Sequence, residues 1–329
     1  MRAWRVHSLG DPVDVLALDD VDEPEPGPGE VVITVSASGL NFPDILLCQG
    51  RYQEKPALPF TPGLEVSGTI AALGDGADGA GLRVGQRVAA LPRLPRGGLA
   101  ERVVANVADV FPIPDSLGDA SAAALLITYQ TGWFGLFRRA ALHAGETLLV
   151  HAGAGGVGSA AIQLGRAAGA VVIATAGGAE KVEICRRLGA DVVIDYRAVD
   201  FVDAVKDATD GNGADVVYDP VGGDTFDRSR RCVAWEGRLL VIGFAGGRIQ
   251  EIPGNHVLLK NYSVVGLHWG AYRAHDPALV AHCHEELMRM HREGSIDPLV
   301  MAERPLADAP AALVSLGDRA TYGKLVLVP

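Results

Sequence analysis

The sequence predicts an α/β protein in which a β-rich domain is followed by a doubly wound parallel sheet. Three observations predict it. The first third reads as short strands punctuated by Gly and Pro, the middle alternates strand and helix patterns, and a glycine-rich turn joins one such strand to its helix. With 329 residues the chain is long enough for two domains, each with its own core.

The elements follow in order. Residues 30–38 (EVVITVSAS) alternate and are rich in β-branched types, after the proline-glycine loop 23–29 (EPEPGPG). Further strands are expected at 64–73, 87–90 and 101–104. Asp119 or Ser121 would cap a helix over 122–128, and a second helix is expected over 131–141. Then come a strand at 147–151, a helix at 158–168, a strand at 170–175 and a helix at 179–188. Strands at 191–194, 215–218, 239–244 and 264–268 continue the alternation that makes βαβ units. The tail carries an amphipathic helix at 277–293 and a strand at 324–328. There are no internal repeats and no low-complexity segments.

Bulk properties exclude several function classes. A net charge of −11, with no basic stripe, argues against nucleic acid and against an anionic membrane surface. No apolar run approaches a bilayer span, and the first residues lack the apolar core of a secretory signal, so a cytoplasmic protein is expected. The cysteines, Cys48, Cys185, Cys232 and Cys283, form no C-x-x-C pair. That pattern fits buried thiols, with neither a disulfide framework nor a cysteine zinc lobe.

The strongest chemical signal is LLVHAGAGGVG at 148–158. Gly153, Gly155 and Gly158 make G-x-G-x-x-G directly after an apolar strand and at the start of a helix. Gly153 permits the tight turn, Gly155 lets a pyrophosphate approach the backbone, and Gly158 lets helix pack on strand. The N–H groups of Gly156, Val157 and Gly158 at the helix start would then face the anion. The alternative is a purely structural turn in a glycine-rich chain. The end of the next strand, 174–179 (ATAGGA), has no acid for a ribose hydroxyl, and Lys181 follows it. Missing acid and nearby cation point to a 2′-phosphate, hence NADPH; Glu180 falls late for the acid, and a merely solvated Lys181 is the competing reading.

Taken together, GLNFPD at 39–44, QGRY at 49–52, PGLEVSG at 62–68, the glycine turn and GKLV at 323–326 resemble the medium-chain dehydrogenase/reductase superfamily. Within it they resemble the zinc-independent NADPH:quinone oxidoreductases, the group that includes zeta-crystallin. The resemblance runs over the whole chain. It implies a GroES-like catalytic domain at 1–121, a Rossmann NADP-binding domain at 122–265 and a return to the catalytic domain at 266–329. It also implies a homodimer formed through the strand near 264–268. Zinc alcohol dehydrogenases of the superfamily carry Cys where Asn41 stands and His where Leu64 stands. An amide and a leucine do not ligate zinc, so no metal is expected.

Without a Lewis acid the substrate must already be a good hydride acceptor, such as a small quinone or enone. Asn41 and Tyr52 are the candidate donors to the developing oxyanion. Tyrosine, with an ordinary pKa near 10, keeps its proton at neutral pH. In related enoyl-thioester reductases a tyrosine in the pattern N-x-x-D-x-x-x-x-x-G-x-Y is regarded as the proton donor, and Tyr52 matches it; a pocket-lining tyrosine is the alternative. The resemblance also implies that Asn41 and Thr128 contact the cofactor, with Thr128 on the nicotinamide side, and that Tyr196 and Arg319 join Lys181 around the 2′-phosphate. Phe244 is expected at the crevice on the carboxyl edge of the sheet, and Asp44 as a brace for its loop. Gly177-Gly178 stands where a polar residue is commoner in the family, which implies weaker 2′-phosphate binding.

Quinone reduction is the first reading. Reduction of enoyl-thioesters or other α,β-unsaturated carbonyls is the second, with Arg93, Arg96, Arg138 and Arg139 as cations for a coenzyme A phosphate. The third is a non-catalytic NADPH-binding structural or RNA-binding protein, which the acidic charge opposes.

Overall fold

The structure, a computed structural model, describes residues 1–329. Its strands in chain order are β1 (Arg2–Val6), β2 (Leu16–Asp20), β3 (Glu30–Gly39), β4 (Glu65–Leu73), β5 (Arg87–Ala90), β6 (Arg102–Asn106) and β7 (Val110–Pro112). They continue with β8 (Thr147–Val150), β9 (Val171–Ala176), β10 (Val192–Asp195), β11 (Ala214–Asp219), β12 (Val233–Val241), β13 (Ser263–Gly266), β14 (Val300–Pro305) and β15 (Lys324–Val328). They fall into two compact units: Met1–Ile127 with Pro298–Pro329, and Thr128–Asp297.

The first unit is built on a sheet of order β14-β15-β3-β4-β5-β7, with β6 also paired to β3. All its pairs are antiparallel except β14 with β15. The inward residues Val31, Ile33 and Val35 of β3 meet Val66 and Ile70 of β4 and Val88 of β5, as period-two alternation requires. The C-terminal strand β15 pairs with β3 through Val326 opposite Gly39 and Leu327 opposite Ser38, closing the unit from both ends of the chain.

That closure carries a buried ion pair. Lys324 Nζ donates to Leu40 O at 2.6 Å, Asn41 Oδ1 at 2.6 Å and Glu65 Oε1 at 2.7 Å. The side chains are 5% and 0% exposed for Lys324 and Glu65. Glu65 Oε2 accepts from Ile127 N, and Oε1 also from Asn41 Nδ2. All three ammonium protons have acceptors, which is the condition under which two charges tolerate burial.

The second unit holds a six-stranded sheet of order β10-β9-β8-β11-β12-β13, parallel throughout. Counted within the unit this is the Rossmann order 3-2-1-4-5-6, with the strand order reversing between β8 and β11. Helices cover the sheet, so its central strands are apolar on both faces: Leu148, Leu149 and Val150, like Val216 and Val217, are completely buried. The edge strand β13 stays open on one side. Near it Leu258 and Leu259 are 73% and 70% exposed.

The sequence reading ended the nucleotide-binding segment at 265, whereas the compact unit runs on to Asp297. Side chains hold this extension in place. Gln163 brackets Asp297, donating to its O at 2.8 Å and accepting from its N at 2.6 Å, and Tyr129 Oη donates to the same carbonyl. Trp133 meets His282 of the helix Pro277–Arg292 edge to face.

The expected helices over 122–128 and 131–141 are cut differently. The structure has Asp119–Ala123, then Leu126–Trp133, then a π-helical turn Phe134–Arg139. Neither Asp119 nor Ser121 caps the first, whose N-cap is Gly118; the Asp119 carboxylate binds Arg87 at 2.6 Å instead. The strand expected at 239–244 begins earlier, at Val233, behind an irregularity in its pairing with β11.

Replacing Lys324 with Met strands the Glu65 carboxylate in the core. Denaturant unfolding should show a loss of about 3–5 kcal/mol. Adding Glu65→Gln to the same chain should restore a large part of it. Equal loss in both variants would mean that packing, and not the charge pair, carries the stability.

Candidate active site

In the second unit β8 ends at Val150 and the chain turns through His151, Ala152 and Gly153 into the helix Gly156–Ala167. Gly158 is fixed by contact: a Cβ there would lie 2.2 Å from Ala152 O and 2.9 Å from Gly153 Cα. The outer side of the turn is open, since a Cβ on Gly155 would meet only Ala152 O, at 3.2 Å. Gly156 and Val157 are half-buried on the first turn of the helix. Its leading N–H groups have no carbonyl partner within the helix and carry the positive end of its dipole. An anion such as a pyrophosphate fits this cradle.

His151 rivets the turn from beneath. Its ring is buried, with Nδ1 3.0 Å from Thr175 Oγ1 and Nε2 2.8 Å from Ser229 Oγ. The Ser229 hydroxyl donates to Thr225 O, so towards His151 it accepts; this assigns the ring proton to Nε2. Burial pushes the imidazole pKa down to about 3, which keeps the ring neutral.

Beside the turn, at the ends of β9 and β10, lies a cationic corner. A Cβ on Gly177 would come within 2.5 Å of the Tyr196 hydroxyl and 3.0 Å of Arg197 Nε. The Arg197 guanidinium also reaches to 3.3 Å from the corresponding point on Gly178. Lys181 is half-buried on the first turn of the helix Ala179–Arg187. The nearest acid at the strand end, Asp195, is committed to the backbone. Its Oδ1 accepts from Arg197 N at 3.0 Å and Gly178 N at 3.1 Å, and these bonds hold its pKa below the usual carboxylate range. A cradle with cations and a phenol, whose strand-end acid is bonded to the backbone, suits a phosphate ester better than a bare ribose hydroxyl; Glu180, exposed on the first helix turn, is the opposing charge.

In the first unit, Asn41 and Tyr52 flank the short helix Phe42–Cys48. Asp44, fully buried, accepts from Asn41 N at 2.8 Å and Gly63 N at 3.0 Å. Desolvation raises its pKa to about 7, against the pull of those bonds and of Lys324. Gly50, at φ +64, ends the helix and turns the chain back towards Tyr52. The Tyr52 ring packs against Val6, Leu47, Cys48 and Phe60. Burial, with Glu54 and Asp44 nearby, pushes its pKa up to about 12, so the phenol stays protonated. Asn41, expected as a donor, has both amide protons committed inside the protein: Nδ2 donates to Gly39 O and Glu65 Oε1, while Oδ1 accepts from Lys324.

The second unit therefore brings together Gly153, Gly155, Gly156, Val157, Gly158, Lys181 and Tyr196 on the carboxyl edge of its sheet. Phe244, 41% exposed, follows β12 on the same edge. Thr128 is buried in the helix Leu126–Trp133. Arg319 belongs to the first unit, at φ +58 just beyond the helix Ala309–Gly317, so the expected grouping with Lys181 and Tyr196 joins residues of two units. Sequence reasoning missed Arg197 and His151. The glycine pair at 177–178 was a usable signal for Arg197, because space left by absent side chains is taken by a neighbour. Nowhere do three His, Cys, Asp or Glu side chains converge as a metal site would need, and all four cysteines are buried and free.

Comparison with known proteins agrees with this geometry. Residues 27–115 match the alcohol dehydrogenase GroES-like domain, and residues 156–284 match the zinc-binding dehydrogenase family. A quinone oxidoreductase-like protein 2 homolog of Nematostella vectensis is 38% identical over 99% of this chain and 88% of its own length. A mycobacterial protein solved in complex with NADPH superposes with TM-score 0.92 at 34% identity, both chains covered in full. The quinone oxidoreductase of Thermus thermophilus, also solved with NADPH, gives TM-score 0.86 at 35% identity, again over both full chains. The chain belongs to the quinone oxidoreductase branch of the medium-chain dehydrogenase/reductase family.

Proposed function

We propose that the protein reduces quinones by hydride transfer from NADPH, without zinc. The observation that carries this reading is the loop from Asn41 to Tyr52. Where a zinc site would need thiolate or imidazole, this loop has an amide whose protons are spent on Gly39 and Glu65, followed by a protonated phenol. NADPH, when bound, supplies the hydride. The N–H groups of Gly156, Val157 and Gly158 hold its pyrophosphate, and Lys181, Tyr196 and Arg197 hold the 2′-phosphate. The Tyr52 phenol donates a hydrogen bond to the substrate carbonyl as negative charge develops there. Asn41 positions that loop through Lys324 and Glu65. Thr128, Phe244 and Arg319 are cofactor contacts in this reading by likeness to the family.

A second reading, reduction of α,β-unsaturated carbonyls including enoyl-thioesters, is favoured by the same Tyr52 phenol, which is protonated and so has a proton to give. Hydride addition to an enone leaves an enolate that must be protonated, whereas a reduced quinone can take its protons from water. NADPH oxidation with benzoquinone or phenanthrenequinone, run beside crotonyl-CoA, decides between them. Fast quinone turnover with idle crotonyl-CoA supports the first reading, and the reverse result replaces it. Tyr52→Phe should lower quinone turnover by no more than about 10-fold, and enone turnover by about 100-fold or more.

Cofactor choice has its own test. Lys181→Ala and Arg197→Ala should each lower kcat/KM for NADPH by about 10-fold and leave that for NADH nearly unchanged. Parallel losses with both cofactors would remove these residues from 2′-phosphate recognition.

We further propose a homodimer through the open edge of β13, in a reducing cytoplasmic setting. The unpaired strand edge and the exposed Leu258 and Leu259 support the first, and the four buried free thiols support the second. No helix is long and apolar enough to cross a membrane. Light scattering should give twice the chain mass for the wild type and a smaller species for Leu258→Asp with Leu259→Asp. A monomeric wild type would end the dimer proposal.

A further inference from the structure

We infer that a second ligand site lies at the amino edge of the parallel sheet and takes a phosphate-bearing aromatic compound of the nucleotide class. A cavity of about 450 Å³ opens there, and its lining includes Lys206, Arg231, Lys260 and Trp235. Three cations line it and no carboxylate does, on a chain with 40 acidic and 29 basic residues. Neither Lys206 nor Arg231 is held by a carboxylate elsewhere. Lys260 Nζ donates to Val233 O at 3.0 Å and Arg230 O at 3.3 Å, which leaves one proton free. Burial lowers the Lys260 pKa, with Cys232 opposing the shift and Lys206 adding to it.

Trp235 supplies the second half of the argument. Between the pairs Ala214 with Val233 and Val216 with Arg238, one residue of β11 faces four of β12. The excess loops out with Glu236 at φ +58, a left-handed conformation that a non-glycine residue adopts at a cost. The result is an indole left 63% exposed at the mouth of a cationic cavity. A flat aromatic face beside clustered cations is the arrangement that stacks a base while holding its phosphate.

This site is separate from the glycine turn. Gly213 precedes the first residue of β11, whereas Gly153 follows the last residue of the parallel strand β8. The two lie on opposite edges of one sheet, roughly 20 Å apart for a strand of this length.

The test is isothermal titration of ADP, and separately of pyrophosphate, into the protein held at saturating NADPH. One ADP should bind per chain, with a heat unchanged when NADPH is doubled. Lys206→Ala, at a half-buried position, and Arg231→Ala, at an exposed one, should each weaken ADP by about 10-fold. Trp235→Ala should weaken ADP and leave pyrophosphate unaltered. Several outcomes overturn the proposal: no heat with ADP, a heat that fades as NADPH rises, or binding indifferent to Lys206 and Arg231. Pyrophosphate binding as tightly as ADP would also overturn it, because the indole would then have no part.

Discussion

The buried pair of Lys324 and Glu65 is the constraint on which the first unit depends. It joins the start of the last strand to the start of β4, and the Asn41 amide sits between the two charges as donor to one and acceptor from the other. Each member has its partners, so removing either charge leaves the other buried without its counter-ion, at a cost far above that of an ordinary surface contact. The loop from Asn41 to Tyr52 starts from this network, and Asp44 anchors it again through the backbone of Asn41 and Gly63. The segment that carries the candidate phenol is thus held by charges contributed from both ends of the chain.

This arrangement changes what Asn41 does. Read as a residue type in a motif, an asparagine offers two N–H donors to a substrate. Both are consumed within the protein, and rotating the amide to free them would turn Nδ2 towards the Lys324 ammonium. The network therefore fixes the amide orientation and leaves the Tyr52 phenol as the donor of the pair. Donor capacity is a property of the folded hydrogen-bond network, which a motif cannot display.

The parallel sheet was the most legible part of the sequence, because buried parallel strands read as unbroken apolar runs and the glycine turn marks the switch between strand and helix. The helices around 119–139 were less legible. Asp119 is a good cap by composition, but the Arg87 guanidinium competes for its carboxylate, and that partner lies 32 positions earlier. The extension of the second unit to Asp297 was hidden for the same reason, since Gln163 and Tyr129 hold it through contacts more than a hundred residues apart in the chain. Pattern reading sees period and local chemistry. It does not see which of two acceptors a side chain reaches.

The glycine pair at 177–178 shows how an apparent weakness in sequence becomes a different solution in structure. The missing polar side chain suggested poorer hold on a 2′-phosphate. Yet a Cβ at Gly177 would collide with the Tyr196 hydroxyl and crowd Arg197. The glycine is what lets these two side chains lean across the end of β9, so a substitution to Ser would displace a phenol and a guanidinium in return for one hydroxyl. A guanidinium presents a fixed fork of donors and stays charged at any working pH, so the exchange runs against the serine wherever the ligand is a phosphate. Asp195 makes the arrangement consistent, because its carboxylate accepts from the backbone N–H of Gly178 and Arg197 and so fixes the backbone from which the arginine side chain extends.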